Sequence, residues 1–253
     1  IRIEGGNSTG NFTIENCIID NNDWCGWGNG ATAIGIFTGN TVFLSKTLIK
    51  NHETSGSTLI HTGSNGGGRL VVDRCTITNN KNSNIISSAG NVGNVKTIVS
   101  NTNIFDNESA LLSIGGQYNY VEFNYNNLED ILSSYILESD TLEWGAGNVS
   151  FDPFFVSSAN SNYSLKASSR LIHLGHPDST DIDGTRADIG AFPYINYYSG
   201  PKWYVSEEGN DTTATGAANN PFRSIQSAIN FSNDNDSILV SNGTYNENIH
   251  TLE

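Results

Sequence analysis

The sequence has no methionine and only three cysteines among its 253 residues. With no Met and no basic-then-apolar leader, it reads as a mature segment or an excised piece. Cys17, Cys25 and Cys75 form an odd set, too few for a disulfide framework and without metal-ligand spacing. At most one bridge can form, and the count leaves the redox compartment open. Positive charge is scarce too: 12 Lys and Arg stand against 26 Asp and Glu, a net charge of −14. A field of that sign repels phosphate backbones and anionic lipid surfaces, which argues against nucleic acid and against a polybasic membrane contact. No apolar run approaches the roughly 20 residues needed to span a bilayer.

What the chain has in quantity is Gly, Asn, Ser and Thr, with β-branched residues supplying its apolar content. That is the composition of an all-β protein. An internal repeat organises it. The ten-residue segments that begin at Phe12, Val42, Leu70, Thr97 and Val121 superpose without gaps. Their third positions are apolar (Ile14, Leu44, Val72, Val99, Phe123), and so are their eighth (Ile19, Ile49, Ile77, Ile104, Leu128). Their tenth is always Asn or Asp (Asn21, Asn51, Asn79, Asp106, Asp130). Successive copies lie 30, 28, 27 and 24 residues apart.

A second ladder falls between these segments: Ile34-Gly-Ile, Leu59-Ile, Ile85-Ile and Leu111-Leu-Ser-Ile. Each copy therefore holds at least two short alternating strands separated by Gly and Asn turns. A unit of this length with no helix and a turn Asn at a fixed place predicts one coil of a parallel β-helix. Stacking sets like residues above one another about 4.8 Å apart. Asn tolerates the left-handed backbone of a tight turn, and stacked amides can hydrogen-bond along the axis. Cys17 and Cys75 share an inward column two coils apart, roughly 9.6 Å, beyond disulfide reach. They read as small buried apolar residues.

Two regions carry a more specific resemblance. Gly147-Asn-Val-Ser-Phe-Asp-Pro-Phe-Phe, Tyr163-Ser-Leu-Lys-Ala-Ser-Ser-Arg-Leu-Ile-His-Leu-Gly and Asp181-Ile-Asp-Gly-Thr-Arg-Ala-Asp-Ile-Gly-Ala-Phe-Pro-Tyr are similar to the closing end of bacterial-type right-handed β-helix proteins. These form the pectate-lyase-like superfamily, which includes surface proteins with a choice-of-anchor C-terminus. Lys202 to Ile249 resembles the opening of the same architecture, where a strand (Trp203-Tyr-Val) and a helix plug the first coil. The implied fold is all-β: a right-handed parallel β-helix with one short capping α-helix near the C-terminus. Local chemistry agrees, with Asn220 as N-cap, Pro221 as first helical residue and the helix running to about Phe231. Phe222, Ile225 and Ile229 then share one face, ready to cover an open coil. Asp181, Asp183, Arg186 and Asp188 are expected to tighten the closing turn through Arg–carboxylate hydrogen bonds.

The order, closing motif before opening motif, divides the chain into 1–195 (coils and closing motif), 196–201 (linker) and 202–253 (opening cap). It predicts one link of a tandem series, or a cap that covers the open coil of a neighbouring copy. Trp203, Phe222, Ile225 and Ile229 would meet Ile1 and Ile3 there, hiding exposed sheet edges. The expected function is a non-enzymatic structural or adhesive repeat of an extracellular or cell-surface protein or fibre, assembling head-to-tail with copies of itself. The alternative is a carbohydrate-active β-helix, a polysaccharide lyase or hydrolase or a sugar-binding module.

The resemblance implies a Lys or Arg base beside acidic calcium ligands for a lyase, and paired Asp carboxylates for a hydrolase. Here Lys46 above Arg74, beside Asp73, is the candidate catalytic cluster, in an exposed column with Asn16, Asn101 and Tyr125. Surface cations on a sheet face more often serve solubility and edge protection. Asp181-x-Asp-Gly invites calcium, but a third ligand and a closing Glu are missing, so it reads as a structural turn and no cofactor is assigned. His173 and His176 lack a third ligand and a helix to align them. Trp24, Trp27 and Trp144 could stack on sugars or cap the apolar stack. Asn-x-Ser/Thr sequons begin at Asn7, Asn11, Asn107, Asn148, Asn162, Asn210, Asn230, Asn235 and Asn242, a number close to chance in a chain with 35 Asn.

Overall fold

The computed structural model describes residues 1–4, 10–22, 31–37, 39–63, 68–89, 95–116, 118–129, 134–135 and 140–251, with backbone alone for 31, 32, 55, 56, 134 and 135. The chain forms two compact units, residues 1–151 with 189–191, and residues 152–188 with 192–253.

In the first unit strands come in threes. The first rung is β1 (Arg2–Glu4), β2 (Phe12–Glu15) and β3 (Ile18–Asp20). The second is β4 (Ala31–Phe37), β5 (Thr41–Ser45) and β6 (Leu48–Lys50). The third is β7 (Glu53–Thr62), β8 (Arg69–Asp73) and β9 (Thr76–Thr78). The fourth is β10 (Lys81–Ser88), β11 (Lys96–Ser100) and β12 (Asn103–Phe105). The fifth is β13 (Ala110–Ile114), β14 (Tyr120–Asn124) and β15 (Asn127–Leu128), and β16 (Ser134–Tyr135) and β17 (Thr141–Trp144) begin another. Every strand pairs in parallel with the strand three further on, giving sheets of six, six and five strands. This is a parallel β-helix.

The register matches the sequence ladder residue for residue. Ile14, Leu44, Val72, Val99 and Phe123 are successive partners in the second sheet. Ile19, Ile49, Ile77, Ile104 and Leu128 are successive partners in the third. In the first sheet Ile34, Ile60, Ile86 and Leu112 stack the same way. These columns form one buried apolar core, and each such side chain contributes roughly 1.5–3 kcal/mol over leaving it in water.

Left-handed residues turn each rung twice. Between the second and third sheets they are Asn16, Lys46, Arg74, Asn101 and Tyr125; after the third sheet they are Asn21, Asn51, Asn79 and Asp106. Asp130, in the same column, lies outside the described residues. Each turn is pinned to the next rung through its backbone, as in Lys46 N to Asp73 O at 3.1 Å and Asn51 N to Asn79 O at 3.0 Å. The residue after each left-handed one closes the corner. Where that residue is Asn or Thr, its side-chain oxygen accepts the backbone N–H of the equivalent residue one rung earlier: Asn80 Oδ1 from His52 N (3.1 Å), Asn126 Oδ1 from Thr102 N (2.9 Å) and Asn148 Oδ1 from Asn126 N (3.1 Å). These inward polar ladders satisfy amides that would otherwise be buried without partners.

Cys75 fits the expected role: it is buried, and burial pushes its thiol up to about 12. Cys17 does not. It is exposed, because its rung has no rung stacked above it among the described residues. Both are free thiols, and Cys25 lies outside the described residues.

The second unit holds an antiparallel pair, β18 (Phe155–Ser157) and β19 (Asn162–Leu165), and a parallel pair, β20 (Lys202–Val205) and β21 (Ser237–Val240). One helix, α1 (Ile225–Phe231), lies between β20 and β21 in the chain. It starts four residues later than the Asn220-Pro221 signal suggests. Its N-cap is Ser224, whose hydroxyl accepts from Ser227 N. Phe222 is kept out of the helix by bridging to β20: Phe222 N donates to Tyr204 O and Ser206 N to Phe222 O, both at 2.9 Å.

The buried helical residues are Gln226, Ser227, Ala228, Asn230 and Phe231, whereas Ile225 and Ile229 are only half-buried. The core beneath is aromatic: Phe222 stacks on Phe231 at 5.4 Å, and Trp203 lies 6.0 Å from Phe231. Gly216 permits this packing. It sits at φ +79°, and a Cβ there would come within 2.4 Å of the Phe222 ring.

Candidate functional site

Lys46 and Arg74 occupy equivalent left-handed positions on adjacent rungs, so the fold brings the predicted cluster together. Backbone conformation, rather than exposure, defines their column, since Asn101 in it is buried. Both cations are paired with carboxylates. Lys46 Nζ lies 3.1 Å from Glu15 Oε1, and Arg74 Nε lies 3.2 Å from Asp73 Oδ2. Asp73 Oδ1 also accepts from Ser100 Oγ (3.0 Å) and Asn101 Nδ2 (2.8 Å). The cluster is a chain of alternating charges along the corner. Pairs as exposed as Lys46–Glu15 contribute at most about 1 kcal/mol each.

The outer face of the second sheet carries a group that the ladder reading missed. Lys96 Nζ sits 4.4 Å above the Tyr120 ring and 3.8 Å from Glu122 Oε2. The Tyr120 hydroxyl donates to Glu122 Oε2 at 3.0 Å and also to Glu143. The Glu143 bond, ahead of burial and Glu122, raises the Tyr120 pKa and keeps the phenol neutral. Reading the other phase of each strand's alternation would have found these residues.

At the corner after the third sheet, a groove of about 560 Å³ follows the Asn column. The expected amide ladder is present: Asn79 Nδ2 donates to Asn51 Oδ1, and Asn51 Nδ2 to Asp20 Oδ1 at 2.7 Å. Lys50, almost fully buried, donates to Asp20 Oδ2 at 2.7 Å. That bond, with the Asn51 bond next, lowers the Asp20 pKa.

In the second unit the Asp181-x-Asp-Gly carboxylates are engaged by amides. Asp181 Oδ2 accepts from Asp188 N at 2.8 Å, Asp183 Oδ1 from Thr185 N and Oγ1, and Asp183 Oδ2 from Asn196 N at 2.8 Å. Asp188 accepts from His173 N at 2.8 Å and from Tyr194 N at 2.7 Å. Burial raises the Asp188 pKa well above the ordinary carboxylate value, with those two amides opposing it. At Asp183 burial also raises the pKa, but the Asn196 and Thr185 bonds outweigh it and leave the carboxyl below its ordinary value. Arg186 Nε donates to Gly175 O at 2.6 Å, so it fastens the turn through a backbone carbonyl. Among the described residues no group of three or more His, Cys, Asp or Glu could hold a metal ion. His173 packs its ring edge-on against Phe231 at 5.4 Å, while the His176 Nδ1 accepts from Asp178 N.

Trp144 stacks in register on Phe123, with ring centroids 5.3 Å apart, and stays 41% exposed. Trp24, Trp27 and the sequon at Asn7 lie outside the described residues. The other sequons separate by environment. Asn230 is buried, and its Nδ2 donates to Ala167 O and Ser169 O at 2.8 Å each. Asn107 and Asn148 use their amides in the corner ladders. Asn210 accepts from Thr212 N and Thr213 N in a turn. Asn11, Asn162, Asn235 and Asn242 are exposed.

No curated protein matches the chain, and no solved structure matches it. Residues 207–251, which include α1 and β21, match the model of a family described as "Protein of unknown function (DUF1565)", a family associated with parallel β-helix proteins. The stacked parallel rungs and this match together make the chain a parallel β-helix protein.

Proposed function

We propose that the chain is a non-enzymatic structural and adhesive element of an extracellular surface protein or fibre, extended head-to-tail by stacking of β-helix rungs. One observation carries this reading. In the first described rung the inward positions Ile1, Ile3, Phe12 and Ile14 repeat the apolar columns that pair rung on rung through the rest of the unit, an edge to which a further rung can be added in the same register. The second unit has a matching feature. β21 continues the buried column of Trp203 and Val205 with Ile238 and Val240, yet Val240 is 43% exposed. Both edges carry apolar residues at i and i+2, the spacing that parallel pairing would set in register. Unpaired apolar edges of this kind are templates for another chain unless something covers them.

Lys46 and Arg74 supply no competing case for catalysis, because their carboxylate partners belong to the same corner. The test is sedimentation velocity of the chain over a wide concentration range, with electron microscopy of the assembled fraction. Elongated particles of axially periodic density are expected, and Val240→Arg should shift the distribution to monomers. Compact monomers at every concentration would refute the reading.

A further inference from the structure

The second unit contains a cavity of about 720 Å³, within the range of roughly 300–1,000 Å³ usual for small-molecule sites. Its lining includes two aromatic side chains, Phe154 and Tyr245, with Ser168, Arg170, Asn246 and Asn248. Phe154 is unusual in two ways. Its backbone is left-handed at φ +51°, and its side chain is 46% exposed. A bulky residue in that region carries a penalty of about 1–2 kcal/mol that glycine would avoid. The conformation is fixed from both sides, by Phe154 N to Asp152 Oδ1 at 2.8 Å and Lys166 N to Phe154 O at 3.0 Å. Strain retained at an exposed aromatic on a cavity wall is a reason to look for a ligand.

The polar lining divides into used and unused groups. Glu247 gives both carboxylate oxygens to the first amides of α1, Ile225 N at 2.8 Å and Gln226 N at 2.9 Å. Gln226 is consumed by Asn230 and by the His250 backbone. The Tyr245 hydroxyl donates to Ser241 O at 3.1 Å, and Arg223 lies 5.6 Å from its ring. By contrast, the Ser168 hydroxyl and the Asn246 and Asn248 amides make no hydrogen bond among the described residues. The cavity thus offers aromatic faces together with uncharged donors and acceptors, and its wall carries one cation, Arg170, as well as the carboxylate of Glu247.

We propose that this cavity binds a neutral pyranose saccharide, with Phe154 and Tyr245 against the apolar C–H faces of the sugar and Ser168, Asn246 and Asn248 at its hydroxyls. A pyranose is apolar on its faces and polar around its edge, and the lining has the same division. A polyanionic ligand fits less well, since the chain carries −14 and the one cation in the wall, Arg170, is accompanied there by the carboxylate of Glu247. The site stands independently of rung-on-rung assembly and does not require it.

The test is calorimetric titration of the whole chain with neutral oligosaccharides of glucose, mannose and N-acetylglucosamine, and in parallel with oligogalacturonate. Saturable binding of at least one neutral series is expected, insensitive to salt. Phe154→Gly should weaken it at least about tenfold while leaving thermal stability equal or higher, which separates loss of contact from loss of fold. Tyr245→Ala should weaken it comparably, and Lys46→Ala should leave it unchanged. No binding of any neutral saccharide up to about 10 mM would overturn the proposal, as would unaltered affinity in Phe154→Gly. Salt-sensitive binding confined to oligogalacturonate would overturn it as well.

Discussion

The Asn148 carboxamide oxygen accepts two hydrogen bonds from Asn126 one rung earlier, from the backbone N at 3.1 Å and from Nδ2 at 3.0 Å. Asn126 in turn donates to Val99 O at 2.9 Å and accepts from Thr102 N at 2.9 Å, so one fully buried side chain links three rungs. Asn126→Leu keeps the number of side-chain heavy atoms but leaves Thr102 N without its acceptor and removes the side-chain donor from Val99 O in a dry corner. Each orphaned group costs about 1–3 kcal/mol. Urea denaturation should show Asn126→Leu destabilised by about 2–4 kcal/mol, against well under about 1 kcal/mol for exposed Asn242→Ala. Equal stability of the two variants would mean that the ladder is dispensable.

The left-handed corner makes a different demand, on backbone alone. Lys46 and Arg74 sit at φ +46° and +50°. If conformation is what the column requires, glycine should be tolerated there and a β-branched residue should not. Lys46→Gly is expected within about 1 kcal/mol of wild type, and Lys46→Val destabilised by about 1–2 kcal/mol. The same variants discriminate the catalytic alternative. Release of unsaturated product from an acidic polysaccharide, abolished by Lys46→Gly, would reassign the corner to chemistry.

How far the sequence could be read follows from these two cases. Stacking puts like residues in register, so the apolar columns and the turn Asn column stand out as soon as copies are aligned. Cys17 misleads because it shares a column with buried Cys75 but not its burial; a position in a repeat does not say whether a neighbouring rung covers it, and among the described residues none covers Cys17 on its outer side. Asn220-Pro221 is a sound helix signal locally, yet tertiary pairing of Phe222 with β20 overrides it and passes the capping role to Ser224. The buried helical face shifts accordingly, from Ile225 and Ile229 to Ala228 and Phe231. Partners such as Asn148 for Asn126 lie a rung apart in loops of varying length, and composition alone presents them as ordinary polar turns. Phe154 and Tyr245, some ninety residues apart, share no sequence pattern at all.

Two histidines make stability depend on pH near neutrality. Burial lowers the pKa of His61 below its ordinary 6.5 and does the same for His173, where the Asn230 backbone contact opposes it. The unfolded chain takes up protons as pH falls through 6.5, whereas the folded chain resists until lower pH. Their contribution is therefore present above 6.5 and lost as pH drops below it, with a slope of at most about 1.4 kcal/mol per pH unit for each histidine. His61→Leu should reduce that slope between about pH 6.5 and 5 in denaturation series. A slope identical to wild type would show that His61 does not contribute.

The sequons provide a test of burial in the second unit. Oligosaccharide transfer acts on the nascent chain, so burial operates as a selection at folding rather than as a block to the enzyme. A glycan on Asn230 would remove the bonds to Ala167 O and Ser169 O and would have to fit inside the packed unit. Such molecules cannot reach this fold, and the same holds for Asn107 and Asn148, whose amides complete the corner ladders. Glycopeptide mass spectrometry of chain secreted from a eukaryotic host should find occupancy at Asn11, Asn162 and Asn242 and none at Asn230, Asn107 or Asn148. Asn230→Gln should leave the glycan mass unchanged while lowering secretion, because the longer side chain cannot reach both carbonyls from the same backbone position. Folded, secreted protein carrying a glycan on Asn230 would be incompatible with the packing of α1 described above.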